Sequence, residues 1–439
     1  MRFRTSLTVA AIATALSAPV ATTAQAAEIE FWHAMGNRLN ELLDAQVAQF
    51  NASQDEHTVV ATNKGNYSET LNAGIAAFRA GEQPTILQVF EVGTATMMNA
   101  TGAIKPVYEL MEETGADFDP SIYLEAVAGY YTTTDGDMLS LPYNSSTPVL
   151  YINNDALKEA GIDADMPTTW SHVDAILTAL KESGHECPLT TAWQSWVHLE
   201  NFSAYHNVPF ATEANGFGSV STELAFNGEA QIRHIDTMGQ WAADGKFIYS
   251  GRRNEGGSRF HSGECALFTE SSAGYAGVKA NAEFDFSIAP LPYYDDIEGA
   301  PQNTIIGGAS LWVMQGKSDE EYAAAAAFLN FLSTEGIQAA WHQDTGYLPI
   351  TMAAADLTRR EGFYDANPGT DIAIMQMTGS APTENSKGLR LGNFDQIRGI
   401  IDEELEAVWA GDKTAEEALG SATERGNELL RRFERTAGN

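Results

Sequence analysis

The sequence predicts an α/β fold, a mostly parallel sheet covered by helices and divided between two domains. Two observations carry this. From residue 28 onward, short apolar or β-branched runs alternate with segments of helical periodicity, the pattern of a β-α-β-α-β unit. About 410 residues follow the N-terminal segment, more than one hydrophobic core usually serves. A hydrophobic content of 44% is ordinary for a globular chain and argues against disorder.

The elements follow in order. Residues 28–32 alternate as a short strand, and Leu39, Leu42, Leu43, Val47 and Phe50 then recur at helical spacing. Residues 57–62 form a second strand. Ser68 is the expected cap of a helix that carries Leu71, Ile75 and Phe78 and stops at Gly81. After Pro84, residues 85–90 are a strongly apolar strand. A second unit opens at 148–153, with a short helix ending at Gly161. Pro167-Thr168-Thr169-Trp170 starts a further helix whose apolar face is Val173, Ile176, Leu177 and Leu180. Later come a strand at 309–314, an alanine-rich helix at 320–332 and a helical stretch over 395–433. No long linker or internal repeat separates the halves, so short crossings join them.

The first residues carry an export signal. Arg2 and Arg4 precede a small-residue apolar run, and Ala24-Gln25-Ala26 ends it, so residues 1–26 read as a cleaved signal peptide and the destination as the periplasm. The run is too short to span a bilayer. The formal charge is −34, and losing the two arginines makes it −36. Such a surface repels nucleic acid and anionic lipid. An anionic ligand would need a local cradle of arginine, hydroxyls and backbone amides. The two cysteines, Cys187 and Cys265, fit either one disulfide or two buried thiols.

Catalytic patterns are missing from the sequence. There is no G-x-S-x-G elbow, Walker loop or H-E-x-x-H motif, and His185-Glu186-Cys187 and His198-x-Glu200 read as surface groupings rather than metal sites. The informative clusters are small or polar residues at the ends of regular elements. They are Lys64-Gly65-Asn66-Tyr67, Glu91 with Val92-Gly93-Thr94, Asn144-Ser145-Ser146-Thr147-Pro148, Ser271-Ser272, Gly307-Gly308, Gly346-Tyr347 and the stretch from Gly392 to Arg398. In open α/β folds such ends form the ligand crevice. Each has a plainer use in a turn or cap.

Residues 307–313 with their alanine-rich helix, 345–349 and Pro167-Thr168-Thr169-Trp170 resemble the extracellular solute-binding protein family that includes maltose-binding protein. The resemblance covers essentially the whole chain after the leader. It is most specific at 64–67, 73–79, 89–98, 144–150, 199–204, 300–303 and 387–393. It implies a two-lobed periplasmic binding protein of type II, with the ligand cleft between lobes. Lobe 1 would be 27–145 plus about 301–348, and lobe 2 about 146–300 plus 349–439. Hinges would lie near 145–148, Pro301 and Pro349.

The resemblance further implies a monomeric solute-binding component of an ABC importer. It would deliver its ligand to membrane permease and ATPase subunits, with no cofactor, no metal and no catalysis. The implied ligand is sn-glycerol-3-phosphate, held by Tyr67, Glu91, Ser146, Ser271, Gly308, Tyr347 and Arg398, with Trp170 and Trp193 or Trp196 as walls. Arg398 would fork onto the phosphate and Glu91 would accept from the glycerol hydroxyls at the far end. Glu270 sets an acid beside the expected phosphate contact of Ser271. Alternatives are a glycerophosphodiester such as glycerophosphocholine, or a sugar, on the same fold. A phosphate-ester hydrolase is the alternative from another class, and it would need a metal cluster or an activated nucleophile.

Overall fold

The strand β1 (Ala27–His33) buries Ile29, Phe31 and His33 on one face, as its alternating sequence requires. The computed structural model describes residues 27–437 apart from 101, 134, 164 and 165, so the expected signal peptide lies outside the described residues. β1 pairs in parallel with β2 (His57–Asn63) and with β3 (Ile86–Phe90). The helix Asn37–Ser53 between the first two strands packs Leu43, Val47 and Phe50 inward, and Phe50 meets Phe328 with ring centroids 5.1 Å apart. Burying each such side chain contributes about 1.5–3 kcal/mol.

The helix Tyr67–Ala80 covers the other face through Leu71. Its cap is Asn66, not Ser68: the Asn66 side chain accepts from the Glu69 amide and Glu69 returns the bond, a full capping box. Ser68, freed from capping, donates to Asp395 at 2.7 Å. The helix stops at Gly81 in the left-handed conformation, as expected.

The first sheet runs β2-β1-β3-β10-β4, where β4 is Ile104–Lys105 and β10 is Gly307–Met314; β5 (Leu141–Ser146) also pairs with β10. β10 is antiparallel to β3, β4 and β5. The second sheet runs β7-β8-β6-β9, from β6 (Pro148–Asn153), β7 (Cys187–Thr191), β8 (Cys265–Ser271) and β9 (Phe286–Ala289). Only β7 and β8 are parallel there. Both sheets are therefore mixed, which corrects the expectation of a mostly parallel sheet. The strands that enter antiparallel come from distant parts of the chain, and pairing direction leaves no mark on local composition.

The chain leaves the first sheet at Ser146 and enters the second at Pro148, across the single residue Thr147. It returns between β9 and β10. The expected C-terminal helical stretch is two helices, Phe394–Trp409 and Ala415–Ala437, packed on each other and on the helix Glu229–Ala243.

A disulfide joins Cys187 and Cys265, settling the question that composition left open. The two are register partners at the start of the parallel strands β7 and β8. The bond closes a loop of sequence separation 78. Replacing both cysteines by alanine is expected to lower stability by about 2–4 kcal/mol through the entropy returned to the unfolded chain. Urea unfolding checks this, and a change below about 0.5 kcal/mol would show that loop closure contributes nothing.

Candidate functional site

The ends of β3, β5, β8 and β10 meet between the two sheets and enclose a cavity of about 130 Å³. Tyr67, the first residue of its helix, stacks on Phe90 at 5.3 Å with rings 7° from parallel. Its hydroxyl accepts from Asn144 Nδ2 at 2.8 Å. Glu91 directly follows β3 and opens a 3-10 turn. Ser146 ends β5 and pairs with Gly307. Gly308 has φ +97°, and a Cβ there would run into the Asn144 carbonyl, so only glycine fits. Gly307 gives room to the Trp196 ring, which an added Cβ would approach within 2.6 Å.

From the second sheet, Ser271 ends β8 and its hydroxyl accepts from the Ala273 amide at 3.1 Å. Tyr347 follows the helix Glu335–Thr345 and stacks on Trp341 at 5.9 Å. Trp193 holds φ +49°, a strained backbone for a side chain of that size, and costs about 1–3 kcal/mol that the surrounding packing must supply. The next segment, Trp196–Asn201, is a π-helix, a form that often marks functional positions. It turns Trp196 toward the cavity, packs His198 into the core and carries Glu200.

Arg398, in the second turn of the helix Phe394–Trp409, reaches back across this space. Its Nε and Nη2 donate to the two oxygens of Glu200 at 2.8 and 2.7 Å, and Nη2 also donates to Glu91 at 2.7 Å. Among the described residues no hydrogen bond engages Nη1.

The sequence profile of the bacterial extracellular solute-binding proteins matches residues 45–370. This chain belongs to that family. The sn-glycerol-3-phosphate-binding periplasmic protein UgpB of Salmonella paratyphi A is 50% identical over 411 residues, 93% of this chain and 94% of that protein. UgpB of Escherichia coli K12 is 50% identical over 410 residues, covering 93% of each. Among solved structures, UgpB of Mycobacterium tuberculosis in complex with glycerophosphocholine superposes with a TM-score of 0.78 at 21% identity, covering 92% of this chain and 98% of that one. The GacH receptor of Streptomyces glaucescens gives 0.76 at 17% identity, covering 93% and 99%. These structures confirm the two-lobed type II fold.

In this solute-binding protein the seven residues singled out from sequence all line the one cavity. Trp193 and Trp196 line it too, whereas Trp170 does not. Trp170 is buried inside the second lobe against His234 at 4.8 Å and Trp241 at 6.1 Å. Its position at the start of an amphipathic helix places it on the inward face, so it is core and not wall. His198 and Glu200 are also fully buried, which corrects their reading as surface residues. Among the described residues no group of His, Cys, Asp and Glu could hold a metal ion.

Glu91, expected at the end of the ligand far from the phosphate, is in contact with Arg398. A buried guanidinium without a counter-ion would be costly, and three buried charges from distant segments satisfy one another. Burial and the neighbouring Glu200 raise the pKa of Glu91, against the pull of Arg398. Burial opposes the charge on Arg398, but Glu200 and Glu91 outweigh it and fix the guanidinium in its charged form. Burial raises Asp402 to about 7.

Sequence reasoning did not mark Asn254, which lines the cavity, or Glu200, which holds Arg398, as site residues, because only the meeting of distant segments brings them there. Gly308→Ala is expected to destabilise the protein by about 2–4 kcal/mol, through the clash and the left-handed backbone. Gly399→Ala, where an added Cβ meets nothing within 4 Å, should be neutral or stabilising by up to about 1 kcal/mol. Thermal unfolding of the pair checks this.

Proposed function

We propose that this protein captures sn-glycerol-3-phosphate in the periplasm and hands it, chemically unchanged, to the membrane subunits of an ABC importer. One observation carries the reading: seven positions from separate segments converge on a single cavity, in a chain half identical to proteins named for that ligand. In this reading Arg398 offers Nη1 to a phosphoryl oxygen, and Ser271 and Tyr347 offer hydroxyl hydrogens. Glu91 keeps Oε2 for the glycerol hydroxyls. Arg398 then stands between two anions, and its charge is what lets them share so small a space. Tyr67, stacked on Phe90, covers the carbon chain. Binding between lobes shifts the population toward the closed form that the importer recognises.

A glycerophosphodiester is the second reading. A neighbouring space of about 230 Å³ shares Phe90, Trp193, Trp196 and Arg398 with the cavity, which leaves room for an esterified alcohol.

Calorimetry with sn-glycerol-3-phosphate, glycerophosphocholine and maltose tests both readings. Tight binding of either phosphate ester, and none of maltose, is expected. Arg398→Ala should weaken the phosphate ester by roughly 100-fold, about 3 kcal/mol, and Arg398→Lys by less, since lysine keeps the charge but not the fork. Unchanged affinity in Arg398→Ala would remove the phosphate from this end of the site. Turnover of either ester by the purified protein would replace a binding reading with a hydrolytic one.

A further inference from the structure

Among the described residues Glu270 is the one carboxylate on the cavity wall that the ion-pair cluster does not use. It is the penultimate residue of β8, opposite Val149 in register and directly before Ser271. It is 4% exposed, yet its side chain lines the same cavity as Ser271 and Arg398. The backbone makes way for it: a Cβ at Gly274 would fall 2.6 Å from Glu270 Cγ. The Ser271 amide donates to Oε1 at 2.6 Å, and the Trp193 side chain hydrogen-bonds the same carboxyl.

The groups facing Glu270 supply no positive charge. They are Glu255 before the helix Gly256–His261, Tyr151 on β6 and Tyr347 after the helix Glu335–Thr345. Arg253 lies 5.9 Å from the Trp193 ring centroid and donates to Ser68, and Arg398 is committed to Glu91 and Glu200. A carboxyl so enclosed favours its neutral form. Burial pushes its pKa up to about 8, against the two donors that oppose the shift.

We infer that Glu270 is a ligand-contacting residue that enters the complex protonated and donates its carboxyl hydrogen to a phosphoryl oxygen, so that a site whose Glu270 is ionised must take up a proton together with the anionic solute. The inference rests on the phosphate-ester reading above. An ionised Glu270 would repel the phosphate, whereas the neutral acid adds a donor where Ser271 already supplies one. The same residue then selects against ligands that lack an acceptor at this point, because the buried O–H would go unpaired.

The sign of the pH dependence follows. Below about pH 8 the free site is already protonated and affinity is insensitive to Glu270. Above it the site must first be protonated, so affinity falls by about tenfold per pH unit. Stability follows the same direction: a carboxyl whose folded pKa is raised gives up stability as pH rises from the ordinary carboxylate range toward about 8.

The test compares the parent with Glu270→Gln, which keeps a donor but cannot ionise. Binding of sn-glycerol-3-phosphate is measured from pH 6.5 to 9.5, and the ratio of the two affinities cancels the ligand's own ionisation. The parent should lose affinity relative to Glu270→Gln by about tenfold between pH 8.5 and 9.5. Calorimetry at pH 8.5 in buffers of different ionisation enthalpy should show the parent taking up roughly 0.5–1 more proton per ligand than the variant. A ratio constant across the range, or equal proton uptake, overturns the inference. Glu270→Ala, which removes the donor altogether, should bind more weakly than Glu270→Gln at pH 6.5, and equal affinity of the two overturns the donor role. If no form binds the ligand at pH 6.5, the phosphate-ester reading fails instead.

Discussion

The rest of the site depends on one interaction, the clasp of Arg398 by Glu91 and Glu200. Glu91 belongs to the end of the first sheet, Glu200 to the π-helix beyond β7, and Arg398 to the C-terminal helix pair. Three stretches separated by more than a hundred residues thus commit their charges to one another in a largely buried space. Desolvating them costs several kcal/mol per ion, and only good geometry offsets it. The bidentate fork onto Glu200 supplies that geometry and leaves the contact to Glu91 as the link between the C-terminal helix and the end of the first sheet. The cluster carries one negative charge in excess. Its electrostatics therefore tolerate an anion only at the unshared nitrogen of the arginine.

That constraint shapes the walls. Beside that single cation stand neutral donors: Ser271, Tyr347 and the amides near Gly308. Aromatic rings bound the remainder, with Tyr67 on Phe90 on one side and Trp193 and Trp196 on the other. The strained backbone at Trp193 and the π-helix after it are adjacent in sequence, so local distortion is concentrated where the second lobe meets the cavity.

Much of this was legible in the sequence, for physical reasons. Apolar periodicity placed β1, β2, β3 and the helices between them, because each side chain's neighbours within an element determine its face. Clusters of small and polar residues at element ends pointed to the cavity, since close backbone approach demands glycine at 308 and the hydroxyl residues 146 and 271 end strands that open on the cavity. What was not legible depends on distant segments. The antiparallel insertion of β10, the burial of Trp170 among histidines and the pairing of Glu200 with Arg398 all involve partners far along the chain. The cap at Asn66 was local and still missed, because Ser68 satisfied the same rule and the capping box with Glu69 decided between them.

The placement of β10 has a consequence for how the chain reaches this state. It is the strand that joins β3 to β4 and β5, yet it begins at residue 307, long after its partners have been made. Until it arrives, the first lobe has an open seam along β3, and the second lobe's four strands lie between the two parts of the first. Such interleaving gives many contacts between residues far apart in sequence, and chains of that kind fold slowly. The N-terminal half cannot finish alone during synthesis. Until then the edge of β3 has no partner and is open to association with other chains. Late completion thus carries an aggregation risk, and it also delays the formation of a compact lobe until nearly three-quarters of the chain has been released.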